Sequence, residues 1–378
     1  MDNLPQETSF RWPISFMKKE TYKKGDVLFN KGDAADKMYY INKGCIRLVE
    51  LNKVIQEDQV IGEMGIFSPF KERTASAVCE EDLEAYTMGK DEVIKFFSAD
   101  PQLAISLIQL SIKRFIENLK AETQARERIE SELRVARDIQ ASMLPQQFPP
   151  FPDRKEIDIF ALMDPAKEVG GDFYDFFFID KNRLCVIIGD VSGKGVPAAL
   201  FMAISKTLLK TEAMLGLRAD EIIFRVNNIL YPENKACMFV TLFCMILNTE
   251  TGELEFSNGG HNPPLICGEN RCFDFFEVPK GCVVGVMENS KFTCKQIMLK
   301  RNDIIFLYTD GVTEAMNPQN QLFTEGRLRE NLENSKEKHT DLKELIVAMR
   351  EGIRTYANGA VQSDDITMVA LRYHGKGA

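Results

Sequence analysis

Four aspartates in the second half of the chain each lie at the end of a predicted β-strand. Asp172 precedes the apolar run 173–179, and Asp190 follows the apolar run 184–188. The turn between the runs, at 180–182, lies midway between the two aspartates. In an antiparallel hairpin they therefore lie opposite each other, with Cβ atoms about 5 Å apart. Two carboxylates held that close repel each other unless a cation lies between them.

A second pair of aspartates follows the same pattern. The predicted strand 304–308 ends just before Asp310, and the predicted strand 366–373 begins just after Asp364. If these two strands are antiparallel neighbours, Asp310 and Asp364 also meet at one end of a sheet. Four aspartates at strand ends would then form an all-oxygen site, which suits a hard divalent cation such as Mg²⁺ or Mn²⁺.

Other kinds of metal or disulfide site are not indicated. The chain has three histidines, which excludes a histidine-rich metal site, and its nine cysteines include no Cys-x-x-Cys pair. We therefore expect reduced thiols rather than structural zinc or a disulfide framework. Each aspartate taken singly also has a plain structural interpretation, because an Asp-Gly pair such as 310–311 is usually only a turn. The metal site depends on four such turns occurring with matched geometry.

The elements that must position these aspartates mix strands and helices from about residue 155 onward. Helical periodicity covers 196–215, 220–230 and 342–356, and further strand-rich segments lie at 239–247 and 254–257. The run 184–188 is uninterrupted and apolar, which is typical of a strand covered on both faces. This half of the chain is therefore expected to be α+β with a large sheet component.

A long helix is predicted over about 103–144, where glycine and proline are absent. Apolar residues recur there at heptad spacing, which predicts that two chains pair in parallel as a homodimer. They are Ile112, Phe115, Leu119, Ile129, Leu133, Ala136 and Met143. Glu122, Arg126 and Gln140 fall on the same seam and make the coiled coil imperfect. Prolines between 145 and 152 mark the end of this segment.

The segment before this helix, up to about residue 105, has short apolar runs separated by glycine turns at 24–26, 31–33 and 43–44. Short strands at such close spacing predict a β-sandwich or barrel. The expected organisation is thus a β-rich domain over 1–105, a helical linker over 106–150 and an α+β domain over 151–378.

Composition excludes several classes of protein. The net charge of −9 is not that of a nucleic-acid-binding protein, which usually presents a basic face. Residues 1–11 contain no apolar signal core, and no apolar run approaches the ~20 residues that a membrane span needs. We therefore expect a cytoplasmic protein with no nucleic-acid or membrane partner.

Five motifs in the second half of the chain resemble the bacterial SpoIIE/RsbU branch of the metal-dependent (PPM-type) phosphatases. They are the segments 168–175, 189–195, 259–264, 308–312 and 363–367, and the lead-in 135–145 resembles the helix that precedes that domain. The resemblance implies an αββα sandwich over roughly 130–375. It also implies two divalent ions bridged by Asp190, with Asp310 and Asp364 on one side and Asp172 on the other. The backbone carbonyl of Val191 completes the implied ligand set.

The activity that this resemblance implies is hydrolysis of phosphoserine or phosphothreonine in a protein, with a phosphorylated anti-sigma-factor antagonist as the expected substrate. Many eukaryotic members have a histidine two residues after the bridging aspartate, where this chain has Ser192, so the general acid is not identified. Lys167 stands near the place of their phosphate-binding arginine. We expect His261, in the Gly/Pro-rich segment 259–264, to have a structural role in a turn.

The first domain resembles a cyclic-nucleotide-binding domain in its segments 22–26, 30–36 and 38–41 and in the cassette from Gly62 to Thr74. By resemblance, Glu63 would accept a hydrogen bond from the ribose hydroxyl, and Arg73 would pair with the cyclic phosphate of cAMP or cGMP. The backbone around Gly62, Met64 and Gly65 would add anion contacts at the start of a short helix. Thr74 leans toward cGMP but does not decide between the two ligands.

Two alternatives stay open. The first domain could keep the fold of the cyclic-nucleotide-binding family and bind no nucleotide. The whole chain could be a catalytically silent protein that only relays nucleotide occupancy. A nucleotide-responsive transcription factor would need a DNA-reading helix-turn-helix after the coiled coil, whereas this chain enters the motif around Asp172 instead.

Overall fold

The computed structural model describes residues 14–67, 72–99, 101–268 and 272–376. The chain divides into two compact units, residues 1–128 and 129–378. The boundary falls inside the long helix α3, Pro101–Met143. This helix is therefore shared between the two units rather than forming a unit of its own.

The first unit contains two four-stranded sheets, as its short apolar runs predict. Its strands are β1 Lys18–Tyr22, β2 Val27–Phe29, β3 Lys37–Lys43, β4 Ile46–Leu48, β5 Lys53–Ile55, β6 Val60–Ile61, β7 Ala77–Cys79 and β8 Leu83–Gly89. The sheet orders are β1-β8-β3-β6 and β2-β7-β4-β5, and all pairs are antiparallel. The sheets enclose an apolar core that includes Tyr39, Ile41 and Ala85. A 3₁₀ turn, Ile14–Phe16, and the helices α1 Glu63–Phe67 and α2 Lys90–Ala99 complete the described part of this unit.

Helix α3 agrees with the helix predicted over 103–144 to within two residues at each end. Several of its seam residues, such as Ile112, Leu119 and Ile129, are exposed in the single chain. Nearer its end, Ala136 is half-buried and Gln140 is buried. None of the helices in the described part of the chain has both the length and the apolar composition that a membrane span needs.

The second unit is built on two five-stranded antiparallel sheets. The first has the order β10-β11-β12-β13-β16, with β10 Phe173–Phe178, β11 Arg183–Val191, β12 Val240–Asn248, β13 Glu253–Gly259 and β16 Lys295–Met298. The second has the order β15-β14-β17-β18-β9, with β9 Ile157–Asp164, β14 Leu265–Cys267, β15 Asp274–Phe275, β17 Asp303–Tyr308 and β18 Ile366–Tyr373. The helices are α4 Val196–Ala213, α5 Ala219–Glu233, α6 Asp310–Thr313, α7 Thr324–Lys338 and α8 Leu342–Ala357.

Burial on both faces of the central strands explains why the sheets stack between helices. In β17, Ile305 and Leu307 join the core between the sheets, whereas Ile304 and Phe306 join a second core that includes residues of α7 and α8. Helices α4 and α5 cover the outer face of the other sheet. Alternate side chains of one strand thus enter different layers, and the αββα sandwich that the resemblance implied is confirmed.

Candidate metal centre and nucleotide site

The hairpin of β10 and β11 has the register predicted from its turn. Phe173 lies opposite Gly189, so Asp172 and Asp190, one residue further along each strand, are at the same end of the hairpin. Gly189 makes room for this pairing, because a Cβ there would lie 2.6 Å from Cζ of Phe173. On its other side, Asp190 pairs with Thr241 of the central strand β12.

Strands β17 and β18 are antiparallel neighbours, as the second aspartate pair required. Asp310 begins α6 directly after β17, and Asp364 lies just before β18. Gly311 permits the two segments to approach each other, because a Cβ at this position would overlap with the backbone carbonyl of Asp365. A residue with a side chain there would push Asp310 away from Asp364.

The electrostatics indicate that the four aspartates occupy one site. Burial raises the pKa of Asp172 well above its ordinary value, and Asp190 and Asp365 raise it further. Burial, Asp310 and Asp364 raise the pKa of Asp190 to about 7. Burial, Glu314 and Asp364 raise the pKa of Asp310 to about 6. Carboxylates from both sheets thus disfavour one another's ionisation, which is the situation that a bound cation relieves.

Asp172 is held by two threonine hydroxyls. It is 1% exposed, and its Oδ2 accepts hydrogen bonds from Oγ1 of Thr309 at 2.7 Å and from Oγ1 of Thr367 at 2.6 Å. Both threonines belong to the opposite sheet, at the ends of β17 and β18. They therefore fix the first aspartate relative to the loops that carry Asp310 and Asp364.

Asp365 has a role that the sequence interpretation missed. Its carboxylate accepts hydrogen bonds from the backbone N–H groups of Ala166 at 2.8 Å and Gly171 at 2.7 Å, with the N–H of Asp172 at 3.4 Å. Asp365 therefore holds the loop that leads into Asp172. The signal available in the sequence was the Asp-Asp doublet at 364–365, whose second member turns inward.

Lys194 supplies a positive charge at this site. Its Nζ lies 2.8 Å from Oδ2 of Asp364 and also donates to the carbonyl of Ser363. The lysine sits between Gly193 and Gly195, both with positive φ, so its loop follows a path that residues with side chains rarely adopt. The sequence placed Lys194 inside a motif without giving it a function.

The donor set fits a hard divalent ion, because its side-chain ligands are all carboxylates. The four carboxylates do not, however, point toward one common ion position. Among the described residues, no three His, Cys, Asp or Glu side chains are placed together as ligands of one ion. Lys194 forms an ion pair with one oxygen of Asp364, and the two threonine hydroxyls donate hydrogen bonds to one oxygen of Asp172. The carboxylates are close enough to perturb one another and need a local rearrangement to share an ion.

Ser192, Lys167 and His261 are not placed as catalytic groups in the structure. The hydroxyl of Ser192 accepts a hydrogen bond from the N–H of Phe239 at 2.9 Å, and Lys167 is exposed. His261 is buried, with its Nδ1 2.8 Å from the hydroxyl of Thr241, and its own N–H donates to Oδ1 of Asn258. Burial lowers the pKa of His261 to about 4, so this ring is neutral near pH 7. These contacts agree with the structural role expected for it.

Arg73 is the most unusual side chain of the first unit. It is buried, and its Nη2 donates to the carbonyl of Lys37 at 2.6 Å while its guanidinium stacks 4.2 Å from the ring centre of Phe29. In the described structure its Nε and Nη1 have no hydrogen-bond partner, and its ion pair with Asp36 is 3.6 Å long. Desolvation lowers the pKa of this guanidinium. A buried cation with two free N–H groups is suited to bind an anion.

The rest of the predicted nucleotide cassette surrounds this arginine. Gly62 has a φ of +79°, and a Cβ there would overlap with Nη1 of Arg73, so a glycine at this position leaves room for the guanidinium. Glu63 is buried at the start of α1, and Gly65 packs against Ala35. Thr74 is exposed, and the side chain of Met64 lies outside the described residues.

Comparison with protein families gives two matches. The model of the Stage II sporulation protein E (SpoIIE) family matches residues 180–374, and that of the cyclic nucleotide-binding domain matches residues 19–100. The first range contains Asp190, Asp310 and Asp364, and the second contains Glu63 and Arg73.

Individual relatives each match about two thirds of the chain. Protein IcfG of Synechocystis sp. (strain ATCC 27184 / PCC 6803 / Kazusa) is 31% identical over 267 residues, which are 64% of this chain and 41% of IcfG. Phosphoserine phosphatase RsbU of Bacillus subtilis (strain 168) is 27% identical over 246 residues, 65% of this chain and 70% of RsbU. The chain thus spans about two fifths of one relative's length and about seven tenths of the other's. The SiaA-PP2C domain of Pseudomonas aeruginosa, at 20% identity, shares the fold with a TM-score of 0.58 over 66% of this chain and 98% of that domain.

Proposed function

Because the chain belongs to the SpoIIE family of PP2C-type phosphatases and has a cyclic nucleotide-binding domain before its phosphatase domain, we propose that it is a metal-dependent serine/threonine protein phosphatase regulated through that domain. The observation that carries the proposal is the group of four buried or half-buried aspartates contributed by both sheets, three of which, Asp172, Asp190 and Asp310, have pKa values raised by burial and by neighbouring carboxylates. Divalent ions bound by this group would neutralise its negative charge, and carboxylates with perturbed pKa values often mark a functional site.

The proposed ligand set is Asp172, Asp190, Asp310 and Asp364 with the carbonyl of Val191, and Asp190 is the bridging residue. Two divalent ions, Mn²⁺ or Mg²⁺, would lower the pKa of water and neutralise charge on the phosphoryl oxygens. The contribution of the chain is to hold these oxygens in place. Asp190, whose pKa is raised to about 7, is partly protonated near neutrality, and Asp310, whose pKa is raised to about 6, becomes so as the pH falls below 7, so ion binding must displace protons.

Four neighbouring residues support the proposed ligands. Thr309 and Thr367 fix the orientation of the Asp172 carboxylate, and Asp365 fixes the backbone that precedes it. Lys194 balances the charge of Asp364. We propose that Lys194 moves away from Asp364 when the ligands converge, and that its charge then remains close to the site where an anionic substrate binds.

The proposed substrate is phosphoserine or phosphothreonine in a protein. RsbU, one of the relatives, is a phosphoserine phosphatase, and the motifs place this chain in the same branch. We therefore propose a phosphorylated anti-sigma-factor antagonist of a bacterial partner-switching system as the substrate. Nine free cysteines agree with a reducing, cytoplasmic location.

The proposed regulatory ligand is cAMP or cGMP. Its cyclic phosphate would satisfy the free Nε and Nη1 of Arg73, and its ribose would reach Glu63 at the start of α1. The exposed seam of α3, which includes Ile112, Phe115 and Ile129, supports pairing of two chains as the route between the units.

The alternative function, a catalytically silent protein that relays nucleotide occupancy, is favoured by one observation. No three potential ligands in the described structure are already placed around one ion. Hydrolysis of p-nitrophenyl phosphate and of a phosphoserine peptide, measured with Mn²⁺, with Mg²⁺ and with EDTA, separates the two functions. We expect turnover with either metal and none with EDTA, and repeating the assay with cAMP and cGMP gives the sign of regulation. An inactive full-length chain at saturating Mn²⁺ would favour the silent protein.

A further inference from the structure

Near its end, helix α3 contacts the loop that precedes Asp172 through the side chain of Gln140. This residue is 8% exposed, its Nε2 donates to the carbonyl of Gly170 at 2.7 Å, and its Oε1 accepts the N–H of Gly170 at 3.0 Å. One carboxamide therefore satisfies both backbone polar groups of a single buried residue. Gly170 stands two positions before Asp172.

The backbone of the segment 170–172 has little freedom. A Cβ on Gly170 would overlap with Oδ2 of Asp365, and a Cβ on Gly171 would lie 2.8 Å from the carbonyl oxygen of Val191. The N–H of Gly171 donates to Asp365 at 2.7 Å. The segment 170–172 is thus held between Asp365 on one side and Gln140 on the other, directly beside the carbonyl proposed as a metal ligand.

The end of the helix is itself anchored to this unit. Leu144, directly after α3, is buried in the core, and the hydroxyl of Tyr174 donates to the carbonyl of Pro145 at 2.8 Å. An α-helix turns by about 100° per residue, so rotation of the last turns would carry the carboxamide of Gln140 away from Gly170. Because the contact uses both the N–H and the carbonyl, a small displacement breaks two hydrogen bonds at once.

We propose that Gln140 is a positioning residue for the metal centre: its carboxamide fixes Gly170 and so places Asp172 beside Asp190 and the Val191 carbonyl, and this makes the position of helix α3 a determinant of metal affinity. The proposal rests on the proposed phosphatase function. In this proposal, Gln140 and Gly170 connect helix α3 to Asp172. All three residues lie in the second unit.

A purely structural role for Gln140 makes different predictions. A buried amide that only satisfies a loop would affect the melting temperature and leave metal affinity unchanged in the folded protein. A positioning role changes the metal concentration needed for activation and the exchange of the Gly171 and Asp172 amides. Residues that orient metal ligands typically alter metal affinity or activity by about 10- to 100-fold.

The test compares Gln140→Met and Gln140→Glu with Gln146→Met in the full-length chain. Gln146 is a matched control, because its exposed amide donates only to the carbonyl of Ala141 at the end of the same helix. We expect Gln140→Met to raise the Mn²⁺ dissociation constant, measured by calorimetry, by about 10- to 100-fold. The KM for p-nitrophenyl phosphate at saturating Mn²⁺ should change by less than about threefold, since substrate contacts are not altered.

Gln140→Glu keeps the shape of the side chain and adds a pH-dependent readout. The ionised carboxylate accepts the N–H of Gly170 but repels its carbonyl, whereas the protonated acid can donate to that carbonyl as the amide does. Burial at this position, where Gln140 is 8% exposed, favours the protonated form of a carboxyl group. The Mn²⁺ affinity of this variant relative to that of the wild type should therefore recover as the pH is lowered from 8 to 6.

Hydrogen exchange provides the readout that does not depend on activity. In EDTA, Gln140→Met should accelerate exchange of the segment 166–172 by at least about tenfold, and Gln146→Met should leave it unchanged. Unchanged Mn²⁺ affinity in both Gln140 variants would overturn the proposal, whatever the exchange rates of the segment 166–172. If the wild type shows no metal-dependent hydrolysis, the proposed function fails, while exchange and calorimetry still decide the role of Gln140.

Discussion

Replacing Arg73 by methionine should separate ligand binding from stability in the first unit. The arginine side chain is 3% exposed, and two of its N–H-bearing nitrogens have no partner in the described structure. Its pairing with Asp36 is long, at 3.6 Å, and desolvation lowers its pKa. The charge is therefore poorly compensated until an anion binds.

The expected change in the free energy of unfolding follows from these contacts. A buried nitrogen whose N–H has no partner costs about 1–3 kcal/mol, so methionine would remove roughly 2–6 kcal/mol of desolvation cost from Nε and Nη1 together. The substitution loses the hydrogen bond to the carbonyl of Lys37 and keeps an apolar contact with the ring of Phe29. The lost hydrogen bond is worth about 1.5–3 kcal/mol, because the donor is charged. We therefore expect the free energy of unfolding to fall by no more than about 1 kcal/mol or to rise, while affinity for the cyclic phosphate falls about 10- to 100-fold.

Calorimetric titration with cAMP and cGMP measures the affinity, and the thermal midpoint of the full-length chain measures the stability. Arg47→Met is a suitable control, because Arg47 is half-buried and already pairs with Glu80 in the same unit. It should leave ligand affinity unchanged. The reasoning would be refuted if Arg73→Met destabilised the unit by more than about 3 kcal/mol. It would also be refuted if the wild type bound neither nucleotide at millimolar concentration, in which case the domain is a docking or dimerisation module.

Three further predictions concern the site and the helix. Asp190→Asn should lower metal-dependent hydrolysis by orders of magnitude and leave the circular dichroism spectrum unchanged, and full turnover in EDTA would contradict the metal assignment. Because the folded-state pKa values of Asp190 and Asp310 are raised to about 7 and about 6, protonation favours the folded state. In EDTA the second unit should therefore lose a few kcal/mol of stability as the pH rises from 5 to 8, and the Mn²⁺ requirement should fall over the same range. A flat profile of melting temperature against pH would contradict this. Replacing Glu122 and Arg126 together by leucine should make activity insensitive to nucleotide, because the interrupted seam would become continuous. A normal response, or sedimentation of the wild type as a monomer at micromolar concentration, would exclude signalling through paired helices.

The parts of the site that the sequence predicts are those governed by strand periodicity. A turn midway between Asp172 and Asp190 leaves them opposite each other in any tight antiparallel hairpin, and the observed register agrees. The neighbouring strands that carry Asp310 and Asp364 are also paired as expected. For the first pair, local pattern and three-dimensional contact coincide, because a hairpin brings together residues that are close in sequence. Strands β17 and β18 are separated by α6, α7 and α8, so their pairing depends on the fold of the whole unit.

The contacts that the sequence did not predict join distant segments. The N–H of Gly171 reaches Asp365, 194 positions away along the chain. The aspartate doublet gave no sign of which member points inward, because both stand just before the same strand. Lys194 was visible in its glycine-rich loop, yet its partner is set by how the two sheets stack. Sheet packing is decided by the whole core rather than by any one motif.

Gln140 illustrates the limit of heptad spacing. The spacing correctly placed it on one face of a long helix with Leu133 and Ala136, but it does not say what covers that face. In the structure Ile129 is exposed, Leu133 and Ala136 are half-buried, and Gln140 is buried against Gly170 of its own chain. A second helix that extended its pairing along this seam as far as residue 140 would therefore compete with Gly170 for the same carboxamide. Pairing that stops near Ile129 leaves the contact in place, and pairing that continues toward Met143 breaks it, so the length of the paired segment would itself determine how Asp172 is held.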